Sequence, residues 1–446
     1  MRLDNLQDLI ANAEAVLRQN DAGIFTKPGP KQYPHQWNWD SALIALGLSH
    51  FDLPRALLEI RSLFTGQWND GMLPHVVYHT IPSDYFPPPS FWQIQSSLHA
   101  PMVATSGITQ PPILATILRM IHNRTPILGF LREIYPSLLA WHRWLHTARD
   151  ADGSGLVCII HPWESGTDDS PRWLELLAEI APTELPTFRR GDTQYVAQSE
   201  RPNQIDYDRF IYLIDIFRRN AYQAKTLLER SPFLVQDVLF NSILCRADED
   251  LRAMAVEIGQ STVELDVWLE KLRASFNGRF WDERQGLYFD HNLRSGKPIQ
   301  VNTATTFLPL YAGLASLDQA ERVIRDHWLN PVEYAPVPAT PYRITTTSRS
   351  EPAWEPRRYW RGPIWIIMNW LLTLGLACYG YQDLAEELRH HSLELVSRSG
   401  FREYYDTRDG SGCGSPDFSW SAALTFELAH SIRSIRNQHL HFGNPE

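Results

Sequence analysis

Cysteine is scarce and scattered: Cys158, Cys245, Cys378 and Cys413 are the four in 446 residues, with no CxxC pair. That excludes a disulfide framework and a zinc knuckle and leaves buried thiols as the expectation. Runs of Lys and Arg are missing, and acidic residues outnumber basic ones 51 to 41 for a net charge of −10. Nucleic acid is therefore excluded as the main partner, because phosphate binding needs clustered cations. No stretch approaches the roughly 18 consecutive apolar residues of a membrane span. The opening MRLDNLQDLIANAEAVLRQND lacks a signal-peptide core, so the expectation is a cytoplasmic chain without a membrane partner. Sixteen histidines include no HExxH pattern, and His35, His75, His79 and His161 read as hydrogen-bonding groups rather than metal ligands. An EF-hand-like start at Asp150, Asp152, Ser154 and Gly155 fails at its twelfth position, which is His161 instead of Glu. Neither a metal nor a cofactor is expected.

What is abundant is aromatic side chain: 16 Trp, 17 Tyr and 19 Phe. Such rings stack on the apolar faces of sugars, and they also fill large cores. Apolar residues recur at helical spacing over about 5–19, 38–49, 53–65, 110–123, 126–147, 170–180, 205–230, 233–257, 262–277, 302–314, 317–329, 361–379, 381–399 and 416–434, and strand-like alternation is scarce. Asp52 with Pro54, Ser261 and Ser316 mark helix starts. Three long irregular stretches, 66–109, 181–204 and 330–360, interrupt the helices, and loops of that length in a compact domain are usually lids or binding loops. No Ser/Gly-rich linker separates two cores, so the expectation is one helical domain over 1–446, its paired antiparallel helices closing into a ring and these loops covering an active site.

Five strings carry candidate chemistry. HPWESGTDDSPRW, from His161 to Trp173, sets Glu164, Asp168 and Asp169 among Trp163, Gly166 and Trp173. A carboxyl beside aromatic rings is poorly solvated, which raises its pKa and makes it a proton donor near neutral pH; a helix-capping cluster is the competing reading. GFREYYDTRDGSGCGSPDFSW puts Glu403 in a second aromatic loop. Two such acids suggest a glycosidase pair, one carboxyl donating to the leaving oxygen and one carboxylate activating water. QYPHQWNWDSALIALG offers Trp37, Trp39 and Asp40, the latter equally suited to capping a helix. RRYWRGPIWIIMNW offers Tyr359, Trp360, Gly362 and Trp365, with Arg361 equally suited to anchoring a buried carboxylate. In TSGITQPP, Gln110 precedes two prolines, where a fixed amide suits sugar hydroxyls.

Taken together, WESGTDDSPRW, YPHQWNWDSAL, SGITQPP, YWRGPIW and FREYYD with FSWSAAL resemble the ordered motifs of glycoside hydrolase family 63, inverting α-glycosidases on an (α/α)6 barrel. The resemblance spans about residues 33–425. It implies Asp168 as general acid and Glu403 as general base, with Tyr33, Trp37, Trp39, Asp40, Gln110, Tyr359, Trp360, Gly362 and Trp365 around the retained sugar and Tyr85 covering it. The compact size and the pair Arg201 and Tyr207 resemble the glucosylglycerate and mannosylglycerate hydrolases within that family. These two residues would face the aglycone, where a glycerate carboxylate calls for a planar bidentate cation. Relatives commonly carry Asn after the catalytic Asp; Asp169 here is expected to raise the pKa of Asp168 by repulsion. The resemblance thus implies hydrolysis of a 2-O-α-glucosyl- or mannosyl-glycerate by a possible homodimer. An α-glucosidase or trehalase-like hydrolase, a sugar epimerase on the same toroid, and a binding protein with no turnover are the rivals.

Overall fold

The computed structural model describes residues 3–79 and 84–430. Thirteen helices organise it: α1 (Leu3–Gln19), α2 (Asn38–Leu48), α3 (Leu53–Phe64), α4 (Leu114–Arg124), α5 (Leu128–Ala148), α6 (Gln204–Arg219), α7 (Val238–Ile258), α8 (Val263–Phe280), α9 (Leu308–Tyr311), α10 (Leu317–Val323), α11 (Ile366–Cys378), α12 (Gln382–Ser399) and α13 (Ser419–Leu428). Six of them form a closed inner ring in which α2 packs on α4, α4 on α7, α7 on α9, α9 on α11, α11 on α13, and α13 back on α2. Burial explains their composition. Every residue of α2 and α13 is buried, as is α11 from Ile366 to Ala377, so these segments are apolar on all faces rather than striped. The outer helices α3, α5, α8, α10 and α12 each follow an inner one in the chain, α1 at the head of the chain packs on α13, and these outer helices carry the amphipathic faces. The result is an (α/α)6 barrel. Its seam between α2 and α13 depends on Gly47, where a Cβ would stand 2.5 Å from Ala423 Cα.

Capping fixes where the helices begin. Asp52 accepts from Arg55 N at 3.1 Å, and Ser316 and Gln319 form a complete capping box. At the third start the cap position is Thr262, one residue beyond Ser261. The long period over 205–230 is broken into α6 and a short helix, Ala224–Arg230, because Ala221 and Tyr222 both adopt left-handed backbone. The break swings the Tyr222 ring against Gly107 and Trp68, so a tertiary contact overrides helical periodicity. Likewise 302–314 holds only a 3-10 turn and the one-turn α9, and the α4 helix starts after Pro111 and Pro112. The expected end of the last helix at 434 lies outside the described residues.

A four-stranded antiparallel sheet was invisible in the alternation because its strands, Cys158–Ile159, Val235–Gln236, Asp290–Asn292 and Lys297–Ile299, are two or three residues long. It underlies the loop that carries Asp168. Asp152, the EF-hand decoy, is taken by Ser154 and Arg279, and Cys158, Cys245 and Cys413 are buried thiols. No helix among the described residues is long and apolar enough to cross a membrane.

Candidate active site

The segments that precede inner helices α2, α4, α11 and α13 in the chain meet at one end of the barrel and enclose a solvent-open pocket.

Asp168 enters from a loop built to be rigid. His161 caps a 3-10 turn, Pro162–Ser165, by accepting from Trp163 N at 3.0 Å, and Gly166 ends it at φ +70°. A Cβ on Gly166 would lie 2.5 Å from the Trp39 ring, so this loop and the tryptophan need glycine there. Beyond it, Arg172 donates to Thr167 Oγ1 at 2.7 Å and to Asp290 and Asp237, while Trp173 Nε1 donates to the Thr167 carbonyl. Asp168 is thus held between two anchored neighbours. Burial pushes its carboxyl up to about 8; backbone hydrogen bonding and the Arg201 cation oppose the rise, and Asp169 and Glu403 add to it. Asp168 is consequently a neutral acid at pH 7.

Glu403 precedes a two-residue hairpin, Tyr404–Tyr405 against Gly412–Cys413, which is tied to Ile364 ahead of α11. Its Oε1 accepts from Tyr33 Oη at 2.7 Å and from Arg201 Nη1 at 3.1 Å; its Oε2 accepts from Arg201 Nη2 at 2.6 Å and from Ser415 N at 2.8 Å. The Arg201 guanidinium also lies 4.4 Å above the Tyr359 ring. Tyr33 Oη also accepts from Arg201 Nη1 at 3.1 Å, and the Tyr359 hydroxyl lies 3.5 Å from Asp168 Oδ2, to which it donates. Two tyrosines therefore span the floor between the two acids.

The walls are aromatic. Trp360 stacks on Trp365 at 3.9 Å, Trp365 on Tyr404 at 4.9 Å, and Trp37 meets Tyr85 edge-on at 5.2 Å. Asp40 is the third carboxyl. Trp37, not Asp40, occupies the cap position of α2, and Asp40 projects into the pocket from the first turn. Burial, followed by the Glu403 and Asp168 charges, pushes it well above the carboxylate range against a backbone hydrogen bond. Gln110 Oε1 accepts from Trp39 N at 3.2 Å, which leaves its amide NH2 to donate.

Fifteen of the sixteen residues singled out in the sequence line this pocket: Asp168, Glu403, Tyr33, Trp37, Trp39, Asp40, Tyr85, Gln110, Trp163, Gly166, Arg201, Tyr207, Tyr359, Trp360 and Trp365. Gly362 does not. Its Cα packs on the Glu355 carbonyl, which a Cβ would meet at 2.4 Å, so it is needed for the turn that brings Tyr359 and Trp365 round. Arg201, expected to face the aglycone, lines the pocket and in this structure clamps Glu403. Of the other two acids in the first string, Glu164 is buried against Arg149, Ile160 N and Thr109 N. Asp169 is held by Arg361 at 2.7 Å and Arg358 at 2.9 Å; the anchoring reading of Arg361 is the one realised, and these cations offset much of Asp169's repulsion on Asp168.

The wall residues Gln32, His75, Phe86, Asp192, Pro202, Phe418 and Trp420 were not singled out. Phe418 and Trp420 stood in the Glu403 string and were legible there. His75 gave no signal: it lies between Trp37 and Trp163, and burial, then His161, lower its imidazole to about 3. Among the described residues no three His, Cys, Asp or Glu side chains converge as a metal site.

A Gly166→Ala exchange is expected to move Trp39 and to cut kcat/KM at least tenfold, with a loss of about 1 kcal/mol in stability for the left-handed backbone. Steady-state kinetics beside thermal melts would separate the two effects, and unchanged kinetics would contradict the packing.

Residues 33–421 match the family model described as a mannosylglycerate hydrolase MGH1-like glycoside hydrolase domain. The chain is 42% identical over 419 residues to a mannosylglycerate hydrolase of Thermus thermophilus, covering 92% of this chain and 98% of that one. It is 34% identical over 439 residues to a glucosylglycerate hydrolase of Mycolicibacterium hassiacum, covering 94% and 97%. A crystal structure of a GH63 mannosylglycerate hydrolase from Thermus thermophilus, in complex with Tris and D-glycerate, superposes with a TM-score of 0.88 over 94% of this chain and 99% of that one at 42% identity. A match over this much of the chain, on a barrel whose two buried acids share one aromatic pocket, shows that this protein belongs to the MGH1-like glycoside hydrolases of family 63.

Proposed function

We propose that the enzyme hydrolyses 2-O-α-mannosylglycerate, 2-O-α-glucosylglycerate or both, releasing the hexose with inversion, and glycerate. One observation carries the reading: a neutral acid, Asp168, and an arginine-held carboxylate, Glu403, open onto the same aromatic-walled pocket. Asp168 gives its proton to the glycosidic oxygen as the C–O bond breaks. Glu403 takes a proton from the water whose oxygen bonds to the anomeric carbon from the other face. The tryptophans stack on the sugar's apolar face, Asp40 and Gln110 meet its hydroxyls, and Arg201 with Tyr207 receives the aglycone carboxylate. Support for that aglycone comes from the relatives named above and from the Arg201 guanidinium that lines the pocket.

A product assay on mannosylglycerate, glucosylglycerate and a neutral α-disaccharide tests the proposal. Hexose is expected from at least one of the two glycerate glycosides, and turnover of only the disaccharide overturns the assignment. The pH dependence follows from Asp168. It is protonated and active below its pKa and ionises as pH rises, so kcat/KM is expected to fall on the alkaline side with a midpoint near 8. A profile flat to about pH 10 would remove Asp168 as the acid.

A further inference from the structure

A carboxylate offers about four lone-pair positions, and a general base must keep one for the water it deprotonates. Glu403 has none to spare, because Tyr33, Ser415 N and both terminal nitrogens of Arg201 fill them. The Ser415 amide is fixed by the reciprocal bond from Glu403 N to Ser415 O at 3.0 Å. Tyr33 is wedged edge-on between Trp37 and Phe418. Arg201 differs from both: it stands at the end of the irregular 181–204 stretch, just before α6, and its buried Nε has no hydrogen-bond partner. Its Nη1 also donates to Tyr33 Oη at 3.1 Å, and of the three donors Arg201 is the one whose planar fork a second carboxylate could engage in the same way.

We propose that Arg201 masks the base in the empty enzyme and that the substrate's own carboxylate unmasks it. A planar carboxylate in the aglycone position offers the guanidinium the same bidentate partner that Glu403 provides. When the fork transfers from one carboxylate to the other, Glu403 regains lone pairs for water. The exchange makes Arg201 a positioning residue that couples recognition of a carboxylate aglycone to turnover, so a neutral glycoside of the same hexose occupies the sugar site yet leaves the base covered. This rests on the assignment of Glu403 as base and of Arg201 to the aglycone.

The test uses the α-fluoride of whichever hexose the enzyme releases, since fluoride leaves without an acid and fills none of the aglycone site. Water bonds to the anomeric carbon, the C–F bond breaks, fluoride departs, and the water proton passes to Glu403 and then to solvent. Millimolar D-glycerate is expected to raise kcat on the fluoride at least fivefold, and glycerol to leave it unchanged. In Arg201→Met the stimulation by glycerate is expected to vanish. Glycerate that leaves the rate unchanged or lowers it, or stimulation that persists in Arg201→Met, overturns the exchange. Should Arg201→Met fail to fold, the glycerate and glycerol arms on the unmodified enzyme decide the matter alone. Glu403→Gln serves as the reference: full activity on the fluoride there would discredit Glu403 as base, whereas an inactive Glu403→Gln beside a glycerate-insensitive enzyme would discredit the exchange only.

Discussion

Asp168→Asn and Glu403→Gln are each expected to lower kcat on the glycoside by about a thousandfold, within the range for loss of a positioned proton-transfer group, with far-UV circular dichroism and melting temperature preserved. Asparagine keeps the size of the acid but has no proton to give. Glutamine keeps the acceptor for Ser415 N and cannot take a proton from water. The two variants separate on a substrate with a good leaving group. On the α-hexosyl fluoride Asp168→Asn is expected to recover most of its deficit, because no protonation is needed, and Glu403→Gln to recover none. The stability of Asp168→Asn carries a sign of its own. The folded-state pKa of Asp168 is raised, so its favourable contribution is fully present at low pH and is lost as pH rises through about 8. The melting temperature of the variant relative to that of the unmodified protein is therefore expected to be higher at pH 9 than at pH 5. Equal melting differences at both values would deny that Asp168 is buried uncharged.

The second large effect is structural. Arg172 lies fully buried under the Asp168 loop, donating through one nitrogen to both Asp290 and Asp237 and through another to Thr167. Asp290 continues the clamp by accepting from Val238 N at the start of α7, and Asp237 caps that helix. Removing the shared cation strands two carboxylates in the interior, so Arg172→Met is expected to cost about 3–5 kcal/mol, read as a fall of several degrees in melting temperature. Burial already lifts Asp237 to about 6 despite the guanidinium, and without that cation Asp237 is driven further toward the neutral form. The deficit of the variant is accordingly expected to be smaller at pH 5, where Asp237 can protonate, than at pH 8. A variant as stable as the parent at pH 8 would show that the triad contributes nothing. Because Thr167 adjoins Asp168, kcat is expected to fall in Arg172→Met as well, although Arg172 lines no part of the pocket.

Amino-acid order alone determined where most helices run, since apolar spacing is a local property, and it determined that two acids stand among aromatic residues, since that too is read directly along the chain. It marked Trp39, Asp40, Gln110 and Trp365 through strings just ahead of helices, because a barrel of paired helices naturally carries its site on the segments leading into the inner ring. Short strands escaped, as two residues cannot display a period, and so did the break at Ala221 and Tyr222, which a distant glycine imposes. Tertiary structure alone decided which partner each charge took. Arg201 and Glu403, Asp169 and Arg361, and Arg172 and Asp290 are remote in the chain, and only closure of the ring brings each cation to its carboxylate. The same closure withdrew water from Asp168, and that withdrawal, rather than the adjacent Asp169, is the main reason the acid keeps its proton.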